Sequence, residues 1–312
     1  MTTLFLFGAG ASYGSGLCLP GRPPLGSGLF QALQKQGGAA EIVSKELADL
    51  FIQDFEKGMD QFWESHNTRT TELLRDMARY FAQFRPYYGN CYKTLISALR
   101  KINPRPAIIT TNYDLLIELA ISEAGQLVTY GEYPAPANNF SVLKIHGSCN
   151  FLPNMEPRQI SGISFDLSQS KGGSILGVGV RAARSAAEII DFCDREDSIG
   201  PALALYSPSK QVLFCPEFVK AQQNLWLELA GKADQIYVIG LRVHRIDEHI
   251  WGVLAKSNAN ISYVGFEKDE FLTWSSEFNR KSDTVIAKTF AEALPLILRQ
   301  VKNTSEGLPQ DA

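Results

Sequence analysis

The stretch Leu4-Phe5-Leu6-Phe7-Gly8-Ala9-Gly10-Ala11-Ser12 decides how the chain is read. Consecutive apolar residues suit a strand buried on both faces, and the abrupt change to small residues turns that strand into a glycine-rich loop. Further apolar runs of similar length occur at 107–110, 142–145, 212–215, 235–239 and 261–266. Helical patterns separate them at 115–123, 182–192, 217–230 and 247–255. Strands that alternate with helices predict an α/β fold: a Rossmann-like open, mostly parallel sheet with helices on both faces. In such sheets ligands sit beyond the carboxyl ends of the strands. Four of the runs end in small or polar residues, at 8–12, 110–114, 146–148 and 240–242. A parallel sheet would bring all four to one rim.

A long insertion separates the first two of these strands. Pro20, Pro23 and Pro24 keep the chain extended, and helical periodicity then takes over. Phe30/Leu33, Ile42/Leu47/Leu50/Phe51, Leu73/Leu74/Met77/Phe81 and Tyr92/Leu95/Ile96/Leu99 read as apolar faces, so about 27–103 is predicted as a block of about four helices. Residues 150–180 look irregular, with Pro153, Pro157 and Gly172-Gly173, and about 150–210 is expected to form a small irregular and helical subdomain. Residues 1–302 are read as one domain, and the polar 303–312 as a flexible tail.

Composition narrows the function classes. The 312 residues carry a net charge of −3 and no Lys/Arg run, which argues against direct nucleic-acid binding. Apolar stretches such as 236–241 fall far short of the roughly 20 residues that span a bilayer. The first residues run straight into the apolar strand, without a basic region or a small-residue cleavage site. A soluble, cytoplasmic protein without a membrane partner is the expectation. Cysteines stand at 18, 91, 149, 193 and 215; an odd count without a Cys-x-x-Cys pair argues against a disulfide framework or a zinc ribbon. They are expected as buried thiols, and no metal site is predicted.

Each strand-end motif admits two readings. Gly8-Ala9-Gly10-Ala11-Ser12 suits a pyrophosphate, because small residues admit close backbone approach and a helix start offers N–H donors; it equally suits a tight strand-to-helix turn. In Thr111-Asn112-Tyr113-Asp114, Asn112 offers a donor and an acceptor for ribose hydroxyls or a water, while Asp114 could simply cap the next helix. His146, beside Gly147 and Ser148, could accept a proton near neutral pH or be an ordinary hydrogen-bonded histidine. Gly240 permits close approach to a cofactor, with Asp247 a further cap candidate. Glu267 could accept from an adenosine ribose or be a solvated acid; His244 and His249 read as surface residues.

Taken in order, G-A-G-A-S at 8–12, T-N-Y-D at 111–114, K-I-H-G-S at 144–148 and a strand ending at Gly240 with Asp247 downstream resemble the sirtuin-like family. The resemblance is greatest to its prokaryotic branch that consumes NAD⁺ in antiphage defence, and it covers roughly 4–25, 105–151 and 210–270. It implies that Gly8, Gly10, Ala11 and Ser12, with Ala9 between them, line the pyrophosphate loop. Asn112 would face the nicotinamide ribose, Asp114 the nicotinamide amide, and His146 would be the catalytic base. Gly240 would lie against the adenosine half, and Thr111, Gly147, Ser148, Asp247 and Glu267 complete the implied NAD⁺ contacts.

Two departures from the family's deacylases redirect the expected activity. Their paired Cys-x-x-Cys motifs, which bind a structural zinc, are absent from this sequence, and Thr111 replaces a glutamine. The loop after Ser12 also lacks their Asp-Phe-Arg; Leu25-Gly26 follows the prolines instead. The resemblance therefore implies an NAD⁺ glycohydrolase that releases nicotinamide and ADP-ribose. The alternatives are a non-catalytic NAD⁺ or ADP-ribose sensor, a lysine deacylase and, last, a redox dehydrogenase. A defence effector of this length would be activated by self-assembly, for which the helical block is one candidate surface, or by a separately encoded helicase-like ATPase.

Overall fold

The computed structural model describes residues 1–154, 164–166, 174–195, 199–205, 212–245 and 247–306. The chain opens with β1 (Thr3–Phe7) and the single-turn helix α1 (Ala9–Tyr13). A two-residue strand β2 (Cys18–Leu19) leads into the helical insertion: α2 (Gly26–Gln36), α3 (Lys45–Gln53), α4 (Phe55–Ser65) and α5 (Asn67–Ala82). Next, β3 (Arg85–Pro86) pairs antiparallel with β2 and closes the base of the insertion before α6 (Cys91–Leu99). The Ser44 hydroxyl and the Asp54 carboxylate accept from the first free N–H groups of α3 and α4, which is why the chain breaks into separate helices there.

After the insertion come β4 (Ala107–Thr110), α7 (Leu116–Glu123), β5 (Leu127–Tyr130) and β6 (Asn139–Lys144). The following region holds two short antiparallel ladders, β7 (Phe151–Pro153) with β10 (Val180–Ala182) and β8 (Ser164–Asp166) with β9 (Ser174–Leu176), then α8 (Ala186–Asp194). The chain returns through α9 (Pro216–Lys232), β11 (Gln235–Ile239), a π-type turn (Glu248–Gly252), α10 (Val253–Lys256), β12 (Asn260–Val264), α11 (Lys268–Glu277), β13 (Thr284–Ala287) and α12 (Phe290–Glu306).

Seven strands form one sheet in the order β13-β12-β11-β1-β4-β6-β5, and every pairing is parallel. The expected Rossmann-like sheet is therefore present. Its central strands are buried on both faces, as parallel sheets require. Alternation along the strands sends Phe5, Phe7, Ile108 and Val142 into a core shared with the helical insertion, α7 and α12. Leu4, Leu6, Ile109 and Leu143 face the opposite core, formed with α9, α10 and α11.

Several elements differ from the sequence reading. Residues 212–215 are not a strand of the main sheet: Val212 and Phe214 make only isolated bridges, and Cys215 adopts a left-handed φ of 52° before Pro216 starts α9. The single helix expected over 247–255 is a π-type turn followed by one α turn. The edge strands β5 and β13 and the helix α12 escaped the pattern search. Both strands are half-exposed rather than continuously buried, and α12 carries Pro295 inside its first turns. The expected tail begins inside α12, and 307–312 lie outside the described residues, as do 155–163, 167–173 and 206–211 of the expected irregular subdomain.

Candidate functional site at the strand-end rim

The motif-bearing strands β11, β1, β4 and β6 are consecutive in the sheet, so their carboxyl ends share one rim. On the β11–β1 side the glycines serve a crossing of two loops. The Gly10 N–H donates to the Gly240 carbonyl at 2.9 Å, and the Gly8 N–H to the Ile239 carbonyl at 2.9 Å. A Cβ on Gly8 would stand 2.5 Å from Leu241 Cγ, and one on Gly240 would stand 2.0 Å from the Ala11 nitrogen. Gly240 also holds φ at +66°, which disfavours any other residue. The Ala11 N–H is committed to the Gly8 carbonyl. The contribution of Gly8-Ala9-Gly10-Ala11 here is close backbone approach; the N–H groups of Gly10 and Ala11 are already engaged inside the protein.

Ser12 joins this loop to the next strand end. Its buried hydroxyl accepts from Asn112 Nδ2 at 2.9 Å and lies 3.2 Å from the Tyr92 hydroxyl. Burial holds the Tyr92 phenol well above its ordinary range, so it stays protonated at neutral pH. Tyr92 is delivered by α6, whose start is tied to the same loop: Asn90 Nδ2 donates to Ser15 Oγ at 2.9 Å and the Cys91 N–H to the Ser15 carbonyl at 2.7 Å. Asn112 Nδ2 also donates to the Gly8 carbonyl at 3.0 Å. Its Oδ1 is buried with no hydrogen-bond partner among the described residues. The Thr110 hydroxyl accepts from the Asn112 N–H at 3.0 Å, and the Thr111 N–H continues the sheet pattern to the Phe7 carbonyl.

Asp114 is not the N-cap of α7, a position that Leu115 holds; it stands one residue earlier, and its carboxylate accepts from the Leu116 N–H at 3.0 Å. Burial raises its carboxyl pKa, against the opposing pull of Lys144. Lys144 is fully buried beneath the rim; its Nζ donates to the Asp114 carbonyl at 2.6 Å and pairs with Glu118 Oε1 at 3.1 Å. The Tyr130 hydroxyl donates to the same Glu118 oxygen at 3.3 Å and accepts from Asn150 Nδ2 at 3.0 Å. This buried chain ties α7, β5, β6 and the turn after the histidine together.

The register aligns Thr110 with Lys144, and two residues beyond each stand Asn112 and His146. The chain kinks sharply after His146: Gly147 has φ +78°, and a Cβ there would lie 2.0 Å from the Ala202 carbonyl oxygen. The Ser148 N–H donates to that same carbonyl at 3.1 Å, while its hydroxyl is buried without a hydrogen-bond partner among the described residues. Two glutamines of α9 bind the backbone around this kink. Gln222 Oε1 accepts from the Lys144 N–H at 2.9 Å, and Gln223 Nε2 donates to the Ile145 carbonyl at 2.8 Å.

His249 corrects the sequence reading. It is half-buried rather than a surface residue, and its Nε2 lies 2.6 Å from His146 Nε2. Nothing in its sequence neighbourhood signalled this, because the contact spans 103 positions and depends on the π-type turn that aims the ring. His244 is half-exposed, with Nδ1 3.7 Å from Asp247 Oδ2. The cap expected from the Asp247 side chain is not made; its backbone carbonyl instead accepts from the Ile250 and Trp251 N–H groups at 2.9 and 2.8 Å. Glu267 is partly buried and engaged within the protein. One oxygen accepts from the Val243 N–H at 3.0 Å and the other pairs with Arg242 Nε at 3.0 Å, which fastens the loop after Gly240 to the end of β12. The glutamines of α9, Lys144 and Glu118 are further rim-shaping residues that no short motif marked.

Such an arrangement, a doubly wound parallel sheet with polar strand ends converging on one rim, defines an α/β architecture whose ligand sites lie beyond the carboxyl ends of the strands. The SIR2-like domain family matches residues 106–164, the segment that holds Asn112, Asp114 and His146. Among solved structures, a mutant Sir2 homologue in complex with ADP-ribose matches with a TM-score of 0.50 at 14% identity, covering 99% of this chain and 95% of that one. A Sir2 homolog–NAD complex matches with a TM-score of 0.46 at 16% identity over 97% and 90% of the two chains. No curated protein matches the sequence. The chain is thus similar to the SIR2-like domain family over residues 106–164, and it shares the fold of a Sir2 homologue over nearly its whole length. No helix among the described residues is long and apolar enough to cross a membrane.

Proposed function

We propose that the protein binds NAD⁺ along the rim and hydrolyses its nicotinamide–ribose bond. The observation that carries this reading is the Oδ1 of Asn112 at the end of β4, buried and without a hydrogen-bond partner among the described residues. A buried acceptor left without a donor costs about 1–3 kcal/mol, and a ribose hydroxyl or a positioned water supplies the missing donor. The Ser148 hydroxyl, unpartnered after the adjacent strand, is a second such group. ADP-ribose, which the Sir2 homologue of the same fold carries, has the hydroxyls and pyrophosphate that this rim would take.

In the proposed reaction the bond between the ribose C1′ and the pyridinium nitrogen breaks, and its electron pair leaves with neutral nicotinamide. The oxocarbenium-like ribose is attacked by water, whose proton passes to His146. Asn112 holds the ribose or the water through Oδ1 while Gly8 and Ser12 fix its amide group. General base catalysis contributes roughly 10²–10⁴-fold, and orientation supplies much of the remainder. On the basis of the sequence motifs we also propose a role in antiphage defence, with activity released by self-assembly or by a separately encoded ATPase.

The test is nicotinamide release by the purified protein, alone and after assembly, alongside His146→Ala and Asn112→Ala. The expected loss is roughly 10²–10⁴-fold for His146→Ala, with both variants still folded. Full activity in both would end the assignment. Tight ADP-ribose binding with no release in any assembled state would replace hydrolysis with the sensor reading.

A further inference from the structure

We propose that Tyr92 is a positioning residue for Asn112 and acts through Ser12: its phenol donates to Ser12 Oγ, steers the serine proton away from Asn112 and fixes the amide with Oδ1 facing the ligand. Tyr92 OH and Ser12 Oγ stand 3.2 Å apart, and Ser12 Oγ accepts from Asn112 Nδ2 at 2.9 Å. The second hydrogen of Asn112 Nδ2 goes to the Gly8 carbonyl at 3.0 Å. Both amide hydrogens are therefore engaged within the protein, and Oδ1 is the atom of the amide left without a partner among the described residues. The inference rests on the proposed function in one respect, that the ribose or water of the NAD⁺ site is what meets Oδ1.

The direction of the Tyr92–Ser12 bond follows from its surroundings. Tyr92 is buried against the rings of Phe7 and Phe290, at centroid distances of 5.2 and 5.3 Å. Among the described residues, Ser12 is the hydrogen-bond partner of its hydroxyl. A phenol that accepted there would bury its own hydrogen without an acceptor, the costlier arrangement. Ser12 thus accepts from Tyr92 and from Asn112, which fills both acceptor sites of the hydroxyl, and its own proton takes the remaining direction. Asp114 receives it. Burial raises the Asp114 pKa, while Lys144, the Leu116 N–H and then the Ser12 hydroxyl oppose that rise, the hydroxyl as a hydrogen-bond donor.

This polarity admits one orientation of the amide. Turned over, Asn112 would set Oδ1 against the Gly8 carbonyl, where Nδ2 now donates. Ser12 would then have to swing its proton from Asp114 to Oδ1 and leave a lone pair facing the carboxylate. Tyr92 occupies the third direction of the hydroxyl and closes it to any other rotation. With that donor removed, the serine proton can turn to the vacated side, and the hold on Asn112 slackens.

The start of α6 grips the same loop through its backbone. Asn90 Oδ1 accepts from the Tyr92 N–H at 3.0 Å, and Asn90 Nδ2 donates to Ser15 Oγ at 2.9 Å. Ser15 Oγ in turn donates to the Ser12 carbonyl at 2.9 Å, and the Ser15 carbonyl accepts from the Cys91 N–H at 2.7 Å. Ser12 is thus held from α6 at both its backbone and its side chain, across 80 positions of sequence. In the proposed reaction Asn112 Oδ1 must meet the ribose hydroxyl or the water in one place, and a small misplacement forfeits much of that advantage. Tyr92 acts only on where Oδ1 points.

The experiment is a double-mutant cycle in the full chain: wild type, Tyr92→Phe, Ser12→Ala and the two combined. Phenylalanine keeps the buried ring and removes only the hydroxyl. ADP-ribose affinity is read by calorimetry, and nicotinamide release by kcat/KM. In the wild-type background Tyr92→Phe should lower both roughly 2- to 12-fold, the equivalent of one neutral hydrogen bond. In the Ser12→Ala background the same change should matter less than about twofold, because the relay is already broken. A phenol with a purely structural role would give equal losses in both backgrounds; that result, or no loss in either, overturns the proposal. NMR of the Tyr92 hydroxyl proton tests the donor without a Tyr92 variant, and decides the matter if Ser12→Ala abolishes measurable binding. The proton should exchange slowly in the wild type and faster in Ser12→Ala; an unchanged rate also overturns the proposal. If ADP-ribose binds but no form releases nicotinamide, the hydrolysis reading falls while the affinity cycle still decides Tyr92. If no form binds ADP-ribose, both fall.

Discussion

The two halves of the rim are built in opposite ways. Where β11 and β1 end, backbone meets backbone: Gly8, Gly10 and Gly240 are small because two loops cross there, and their N–H groups donate to the carbonyls of Ile239, Gly240 and Val264. Where β4 and β6 end, side chains meet: an amide is held by Gly8 and Ser12, an imidazole faces a second imidazole, and polar atoms of Asn112, Ser148, Asn150, Glu118 and Gln222 have no hydrogen-bond partner among the described residues. The first half is accounted for by the fold alone. The second contains groups without partners among the described residues, which the proposed NAD⁺ would satisfy. A glycine-rich loop after a strand is thus weaker evidence of a ligand than a buried polar atom with nothing to bind.

Substitutions can break this comparison. The largest effect is expected beneath the polar half, where Lys144→Met strands Glu118 and the Asp114 carbonyl in the interior. Removing one partner of a buried ion pair costs about 3–5 kcal/mol, so chemical denaturation should show a large fall in midpoint. On the glycine half, Gly240→Ala forces a side chain against the Ala11 nitrogen at a left-handed φ. A loss of about 2–5 kcal/mol is expected, read as a drop in Tm. If Gly240→Ala kept its stability and lost only ADP-ribose binding, the glycine half would be a ligand cradle after all. The smallest effect belongs to Glu267→Gln. Its Arg242 partner is 81% exposed and the amide can still accept from the Val243 N–H, so stability should change by less than about 1 kcal/mol. A marked loss of nucleotide binding in that variant, measured by calorimetry, would give Glu267 a ligand role that its present hydrogen bonds do not suggest.

Much of the architecture was legible because buried parallel strands leave a strong local mark. The runs at 4–7, 107–110 and 235–239 became the centre of the sheet because each is apolar on both faces. The edge strand β5 was missed because one side of it faces water; Leu127 is 67% exposed, so its segment lacks a continuous apolar run. Asn112, His146 and Gly240 stood out as polar or small residues at the ends of such runs. His249 did not: its own neighbours form no strand, and the turn that aims it is only one π-type turn long.

By itself, the sequence determined the alternation of strand and helix, and with it the parallel sheet and the rim on which its motifs meet. Those properties follow from local periodicity, which backbone geometry translates directly into buried faces. Only the tertiary structure decided that Ser12 would bind Asn112, that Lys144 would neutralise Glu118, and that His249 would reach His146. Each of those contacts joins segments whose spacing along the chain carries no periodic signal. Their geometry exists only once the sheet has set the strand ends side by side.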